Sequence, residues 1–255
     1  MQQRIAFEKQ LEEAEPDDAR IAGKCAQVRA AVLGASEWLD GPDFETIHRD
    51  DLELMASEYD RVFFDGQVLD LLGGVELRFR LSKRMTRLGG TTTRFVRRNN
   101  PTDVSYEIAV STTLLFQTFS DVERSVVVNG LKYGDRFEAL QRVFEHELIH
   151  LIELLVWGDS SCSRSRFQSM AARFFGHSDH RHQLVTSRER AEVNFGVRPG
   201  GRVRFDLDGT NYVGVVNRIT KRATVLVEDR NGNRYSDGKR YLKFYVPLGM
   251  LQPLD

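Results

Sequence analysis

The stretch His146-Glu147-Leu148-Ile149-His150 lies inside a long run of helix-forming residues from Arg136 to Trp157. Two histidines four residues apart lie one turn above each other on one face of a helix, so both imidazoles can reach the same metal ion. The glutamate that follows the first histidine can act as general base on a water held by that ion. The stretch therefore predicts a zinc site with His146 and His150 as ligands and Glu147 as the catalytic residue.

The same helix carries an apolar stripe, which offers a second interpretation: both histidines are core residues bonded to backbone carbonyls. The stripe recurs at the helical period and consists of Phe137, Leu140, Phe144, Leu148, Leu151 and Leu155. Burying this stripe does not require polar side chains in the middle of the helix, where unpaired polar atoms cost free energy. The motif therefore favours metal binding over the core interpretation.

Length and composition indicate an ordinary globular chain. With 255 residues it can form one sizeable core, or a main domain with a small appendage, and its net charge of −1 gives no overall attraction to nucleic acid. We find neither an apolar run of about 20 residues nor a signal-peptide pattern, so we expect a cytoplasmic protein without a membrane segment. Two cysteines, Cys25 and Cys162, provide no disulfide framework.

The pattern of apolar residues predicts an α+β domain over residues 46–196, preceded by a helical segment over residues 1–45. A helix is predicted from Arg49 to Phe64. Alternating apolar and polar residues predict strands at 75–81, 91–96 and 106–110, which together indicate a small, mainly antiparallel sheet. Asp135, with Glu138 three residues later, predicts a capping box that begins the helix of the metal motif.

This order of elements resembles the SprT-like (Spartan-type) zinc metallopeptidases over about residues 52–186. The resemblance rests on Phe63-Phe64-Asp65-Gly66, Leu77-Arg78-Phe79, Ser82-Lys83-Arg84-Met85, Gly89-Gly90, Ser111, the HELIH motif, Phe167-Gln168, Met170 to Gly176 and His182-Gln183-Leu184. It implies a compact α+β zincin-type fold, a zinc ion and the cleavage of proteins. For several members of the family, the substrates are proteins attached to DNA.

The third metal ligand is where this chain departs from the family. The family's His-Gly pair would lie four residues before the position aligned with Phe167, and Ser163 stands there instead. A serine hydroxyl is a poor zinc ligand, whereas the thiolate of the neighbouring Cys162 is a good one and would also admit iron(II) in place of zinc. We therefore predict Cys162 as the third ligand. The alternatives are His177, His180 and His182, which cluster after Gly176.

The last part of the chain, residues 197–255, reads as short strands separated by turns, including a turn at Asn231-Gly232. This pattern resembles a small KOW/Tudor-like β-barrel. From Arg198 onward it contains eleven Lys and Arg residues against six Asp and Glu residues. Basic residues interleaved with tyrosines suit contacts to phosphates and bases, which suggests DNA or RNA as a partner. The candidates are Arg218, Lys221, Arg222, Lys239 and Arg240, and the alternative is a solvated barrel surface.

Together these features predict a zinc-dependent endopeptidase with polypeptide substrates, which we expect to bind in extended form along the edge of the small sheet. Proteins bound or crosslinked to DNA are one substrate class that the resemblance implies. The alternative is a metal-stabilised adaptor for nucleic acid or a transcription complex, in which the protease domain is degenerate. The presence of Glu147 favours the enzyme, because a structural zinc site needs no general base and usually has four protein ligands.

Overall fold

Helices and short strands alternate along the chain, which confirms the predicted α+β class. The computed structural model describes residues 2–119, 126–179 and 184–254. Described residues of Met1–Phe116 and Ser125–Leu184 form one compact unit, and those of Gln117–Arg124 and Val185–Asp255 form a second. Within the described ranges, no helix is long and apolar enough to cross a membrane.

The first unit contains the metal motif. Its helices are α1 (Gln2–Glu13), α2 (Asp18–Ala35), α3 (Arg49–Phe64), α4 (Gln67–Leu72), α6 (Arg136–Val156) and α7 (Ser165–Phe175), and α5 (Thr112–Thr118) continues into the second unit. Its strands are β1 (Leu77–Ser82), β2 (Gly90–Arg97), β3 (Asn100–Ser111), β4 (Val126–Val128) and β5 (Leu131–Tyr133). The predicted bounds of α3 are confirmed, and the helical N-terminal segment lies in the same unit as the motif.

The main sheet of this unit has the strand order β1-β3-β2. Strand β2 pairs antiparallel with β3, but β1 pairs parallel with β3, so the predicted mainly antiparallel sheet is in fact mixed. The short link after β1 makes β2 run opposite to β1, and the β2–β3 hairpin then brings β3 parallel to β1. Strand β2 is left at an edge of the sheet, in contact with α6.

Helix α6 is capped by Asp135, whose side chain accepts a hydrogen bond from the Glu138 amide at 2.9 Å. The Glu138 carboxylate accepts from the Gly134 amide at 3.2 Å, so only the forward half of the predicted capping box is present. The apolar stripe is buried from Phe137 to Leu151, and Leu155 is half-buried. Burial of this stripe holds α6 against the rest of the unit.

The second unit combines helix α8 (Ser187–Phe195) with strands β6 (Arg202–Leu207), β7 (Thr210–Ile219), β8 (Ala223–Arg234), β9 (Arg240–Val246) and β10 (Gln252–Leu254). These strands form an antiparallel sheet in the order β10-β6-β7-β8-β9, and its core includes Val203, Phe205, Val216, Val225 and Val246. β9 and β10 lie at its two edges, and closure into a barrel stays a prediction.

The predicted turn at Asn231-Gly232 is wrong. Both residues lie inside β8, at an irregularity in its register with β9 between Glu228 and Asn233. The hairpin turn comes later, where the Tyr235 amide donates to the Lys239 carbonyl at 2.9 Å. Gly232 is needed for another reason: a Cβ at this position would overlap the backbone of Tyr241 on the partner strand. The dipeptide thus marks a β-bulge and not a turn.

Candidate metal centre

The structure brings together the three side chains that the sequence singles out as metal ligands. His146 and His150 lie one turn apart on α6, and their Nε2 atoms are 3.2 Å apart. Cys162 comes from the segment between α6 and α7, and one donor atom of each of the three residues lies within 4.8 Å of the others. In the described parts of the chain this is the only such group of three or more His, Cys, Asp or Glu residues.

The segment after α6 is held in place by contacts at both of its ends. Arg166, near the start of α7, donates to the Glu153 carboxylate at 2.6 Å and to the Asp159 carboxylate at 3.0 Å. Gln168 donates to the Cys162 carbonyl at 3.2 Å. The Glu153 carboxylate is fully buried, so its contact with Arg166 is a charge-assisted bond largely shielded from water. These contacts direct the segment back over α6, where its thiol meets the two imidazoles.

The orientation of the His150 ring is set through Ser160. The Ser160 hydroxyl donates to Glu153 at 2.6 Å and lies 2.6 Å from His150 Nδ1. Because that hydroxyl hydrogen points to the carboxylate, its oxygen accepts from Nδ1–H, and Nε2 keeps its lone pair for a metal. Burial lowers the pKa of His150 to about 4, against the opposing effect of Glu153, so its imidazole is neutral at pH 7.

We expect Ser160→Ala to lower zinc affinity by about 10- to 100-fold, the usual cost of losing a partner that orients a ligand. The measurement is a titration against a chromophoric zinc chelator. Ser161→Ala is the matched control, because the Ser161 hydroxyl bonds to Ser163 at 2.9 Å and not to a predicted ligand. Equal affinities for the two variants would contradict the assigned role of Ser160.

Glu147 lies on the side of the site that faces the sheet, with 4% of its surface exposed. The Thr92 hydroxyl lies 2.8 Å from both the backbone carbonyl and the carboxylate of Glu147. Burial raises the pKa of Glu147 to about 8, although the hydrogen bond from Thr92 lowers it. At Gly90, a Cβ would lie 2.6 Å from Glu147 Cγ, so only glycine lets β2 approach the carboxylate this closely.

A small cavity of about 120 Å³ opens beside these residues. Its lining combines apolar residues and glycines with polar residues: Leu88, Gly89, Gly90, Val128 and Val143 with Asn129, His146, Glu147 and Cys162. Its volume suits one small apolar side chain of a bound molecule.

The alternative third ligands do not join this group where the structure describes them. His177 is buried, and its Nε2 lies 2.8 Å from the Glu145 carboxylate. That carboxylate also accepts bonds from Tyr59 at 2.7 Å and Arg142 at 2.8 Å, and Cys25 Sγ lies 3.5 Å from it. His180 and His182 lie outside the described residues.

The Glu145 carboxylate carries its charge in this fully buried position. Burial raises its pKa, but Arg142, His177 and Tyr59 together outweigh that effect and lower it. His177 therefore serves as a partner of Glu145, the residue immediately before the first predicted ligand.

No sequence pattern predicts the contacts by which four residues position the site: Thr92, Glu153, Ser160 and Arg166. Glu153 lies two turns along α6 from His146, and its carboxylate accepts hydrogen bonds from Ser160, Ser161 and Arg166. Such contacts depend on the path of the segment after α6, which spacing along the chain does not reveal.

The predicted nucleic-acid residues all lie in the second unit. Arg218 is near the end of β7, and Lys221 and Arg222 lie at the β7–β8 turn. Lys239 and Arg240 lie at the beginning of β9, where the Lys239 ammonium is 2.7 Å from the Glu228 carboxylate and Arg240 donates to the Gly232 carbonyl at 3.0 Å. Arg218, Lys221 and Arg222 are therefore better placed to contact a partner than the other two.

The described part of the first unit contains α3, β1, β2, β3 and α6 in this order along the chain. The HELIH motif lies on α6, which contacts an edge strand, and Cys162 lies close to its two histidines. No protein-family model, curated protein or solved structure significantly matches the chain.

Proposed function

We propose that this protein is a zinc-dependent endopeptidase. One observation carries the proposal: donor atoms of His146, His150 and Cys162 lie within 4.8 Å of one another, although Cys162 is twelve residues beyond His150. The buried Glu147 carboxylate lies beside them. Three ligands with an adjacent carboxylate are typical of catalytic zinc sites, whereas structural sites usually have four protein ligands.

The donor set fits zinc. Two neutral imidazoles and one thiolate are ligands that zinc prefers, and iron(II) is the second choice. Burial raises the pKa of Cys162, so its thiol would release a proton when a metal binds. When bound, zinc would supply Lewis acidity that polarises a peptide carbonyl and makes a water molecule more acidic.

Residues of the chain would transfer the protons and hold the reacting side chains in position. In its ionised form, which a pKa of about 8 makes the main form only above pH 8, Glu147 would accept the proton of the attacking water and then deliver it to the leaving amine. Thr92 holds the Glu147 carboxylate by a 2.8 Å hydrogen bond, and Glu147 lines the cavity. Ser160 and Glu153 hold the His150 ring with Nε2 toward the site.

A polypeptide is the substrate that suits this arrangement. Strand β2 is an edge strand, and its first residue, Gly90, lies directly against Glu147. An extended peptide that pairs with this edge would pass beside the carboxylate and gain main-chain hydrogen bonds with little sequence preference. The adjoining cavity would then receive one small apolar side chain. Proteins bound or crosslinked to DNA remain one substrate class within this proposal.

The proposal is tested by metal content and by proteolysis measured on the same purified chain. We expect about one zinc ion per chain, hydrolysis of a fluorescently labelled unfolded protein, loss of hydrolysis after chelation, and its recovery when zinc is added. Hydrolysis that persists in chelated, metal-free protein would contradict the proposal. Bound zinc without any hydrolysis would instead favour the metal-stabilised adaptor.

A further inference from the structure

The five-stranded sheet of the second unit carries exposed basic, aromatic and apolar side chains on the side opposite its core. We call it the basic face and define it by Arg202, Arg204, Lys243, Tyr245, Val213 and Val215. All six side chains are exposed. Their strand neighbours Val203, Phe205, Gly214, Val216 and Val246 are buried, as the two-residue period of a strand requires.

The strand register places these residues in adjacent rows. Arg202 pairs with Val215, Val215 with Leu226, and Leu226 with Lys243, so one row crosses four strands. At a strand spacing of about 4.8 Å this row is about 14 Å long. Arg204 pairs with Val213 in the row on one side, and Tyr245 pairs with Thr224 in the row on the other.

The cations of the basic face are not neutralised by neighbouring carboxylates. Other cations of the unit form ion pairs, for example Lys239 with Glu228. Arg202, Arg204 and Lys243 form no ion pair with any residue in the range 184–254. Asp206 and Glu228 lie on the same side of the sheet, two residues along their strands from Arg204 and Leu226, but neither forms an ion pair with these three cations, and Glu228 pairs with Lys239. Three cations without an ion-pair partner on a sheet attract a polyanion.

The same face carries an exposed aromatic ring. Tyr245 is 65% exposed although it lies in a strand next to the buried Val246, and Val213 and Val215 are 40% and 38% exposed. A ring in this position contributes little to the core of the unit, and most of its surface is available to a ligand. Nucleic-acid bases stack on such rings without regard to sequence.

We propose that the basic face binds single-stranded nucleic acid, with Arg202, Arg204 and Lys243 contacting phosphates and Tyr245 stacking on a base. The combination of unpaired cations with an exposed aromatic ring favours single-stranded nucleic acid over an acidic protein or a nucleic-acid duplex. An acidic protein would use the charges but not the ring, and a duplex would keep its bases stacked inside. This inference does not depend on the metal centre, and most of its residues differ from those that the sequence indicates.

The test is fluorescence anisotropy of the full chain with labelled single-stranded DNA and RNA oligonucleotides of mixed sequence, at several salt concentrations. Tyr245→Ala should weaken binding roughly 5- to 150-fold and leave the salt dependence unchanged. The triple variant Arg202→Gln/Arg204→Gln/Lys243→Gln should reduce the slope of log K against log salt by about 2, since each phosphate contact contributes about 0.7 for single strands. Tighter binding of DNA or of RNA would identify which of the two is the ligand.

The matched control is Lys9→Gln/Arg49→Gln/Arg97→Gln, which removes three exposed, ion-paired cations of the first unit and changes the net charge equally. This variant should bind like the unmodified chain. Circular dichroism must show that each variant is folded. The proposal is overturned if the control loses as much affinity as the triple variant, if duplex DNA binds as tightly as single strands, or if polyglutamate competes as well as the oligonucleotide.

Discussion

Replacing Glu147 with glutamine is expected to stop peptide hydrolysis and to leave the metal in place. Glutamine has nearly the same shape, and its amide oxygen can still accept the hydrogen bond that Thr92 gives the carboxylate at 2.8 Å. The amide cannot accept a proton from water, however, and general bases contribute about 10²- to 10⁴-fold to the rate. Turnover should fall by that factor while the zinc content stays at the level of the unmodified chain.

Turnover is measured as the initial rate of hydrolysis of an unfolded labelled protein. Zinc content is measured by mass spectrometry on the same preparations. Glu192→Gln is the control, because Glu192 lies on α8 in the second unit and its loss should change neither quantity. Activity that survives in Glu147→Gln would mean that another group accepts the proton. Loss of zinc in that variant would mean that the carboxylate belongs to the ligand set.

Replacing Cys162 with serine is expected to lower zinc affinity by more than about 100-fold, beyond the range known for partners that only orient a ligand. The two histidines would remain on α6, but a neutral hydroxyl is a poor substitute for a thiolate. Activity should fall with metal occupancy and return in part when zinc is in excess. Competition with a chelator measures the affinity, and cobalt substitution reports on the sulfur through its charge-transfer absorption.

The other cysteine provides the control. Cys25 is buried on α2, and burial together with Glu145 raises its pKa to about 12, so its sulfur stays a protonated thiol away from the site. Cobalt-loaded Cys25→Ser should therefore keep the sulfur absorption band that Cys162→Ser loses. If Cys162→Ser keeps its zinc affinity, the third ligand is another residue. That residue is Cys25, the other cysteine of the chain, if the variant also keeps the band, and His180 and His182 are the first candidates if the unmodified chain has no band either.

Features encoded within a few residues of one another could be predicted from the sequence. The bounds of α3 follow from local periodicity and stop signals, and the histidines of α6 share a face because four residues make about one helical turn. The approach of Cys162 to the two histidines agrees with the sequence, because few side chains near the motif are good zinc ligands. Its role as a ligand stays a prediction.

Features that depend on distant parts of the chain could not be predicted. The parallel pairing of β1 with β3 arises from a crossover, which alternation of apolar residues does not encode. Asn231-Gly232 has the composition of a turn, but the approach of Tyr241 from the next strand makes it a bulge. The contacts of Thr92 and Ser160 require that β2 and the segment after α6 meet one helix from different sides.

The buried carboxylate of Glu145 links the metal motif to the beginning of the chain. Its partners include Tyr59 on α3 and His177 beyond α7, with Cys25 Sγ of α2 at 3.5 Å, and Arg29 of α2 bonds to Asp135 at the N-terminus of α6 at 2.7 Å. A chain shortened to begin near residue 46 would strip α6 of its contacts with α2 and open the surroundings of a buried charge to water. Helix α2 therefore stabilises α6, so we expect the smallest fragment that forms the predicted metal centre to include α2.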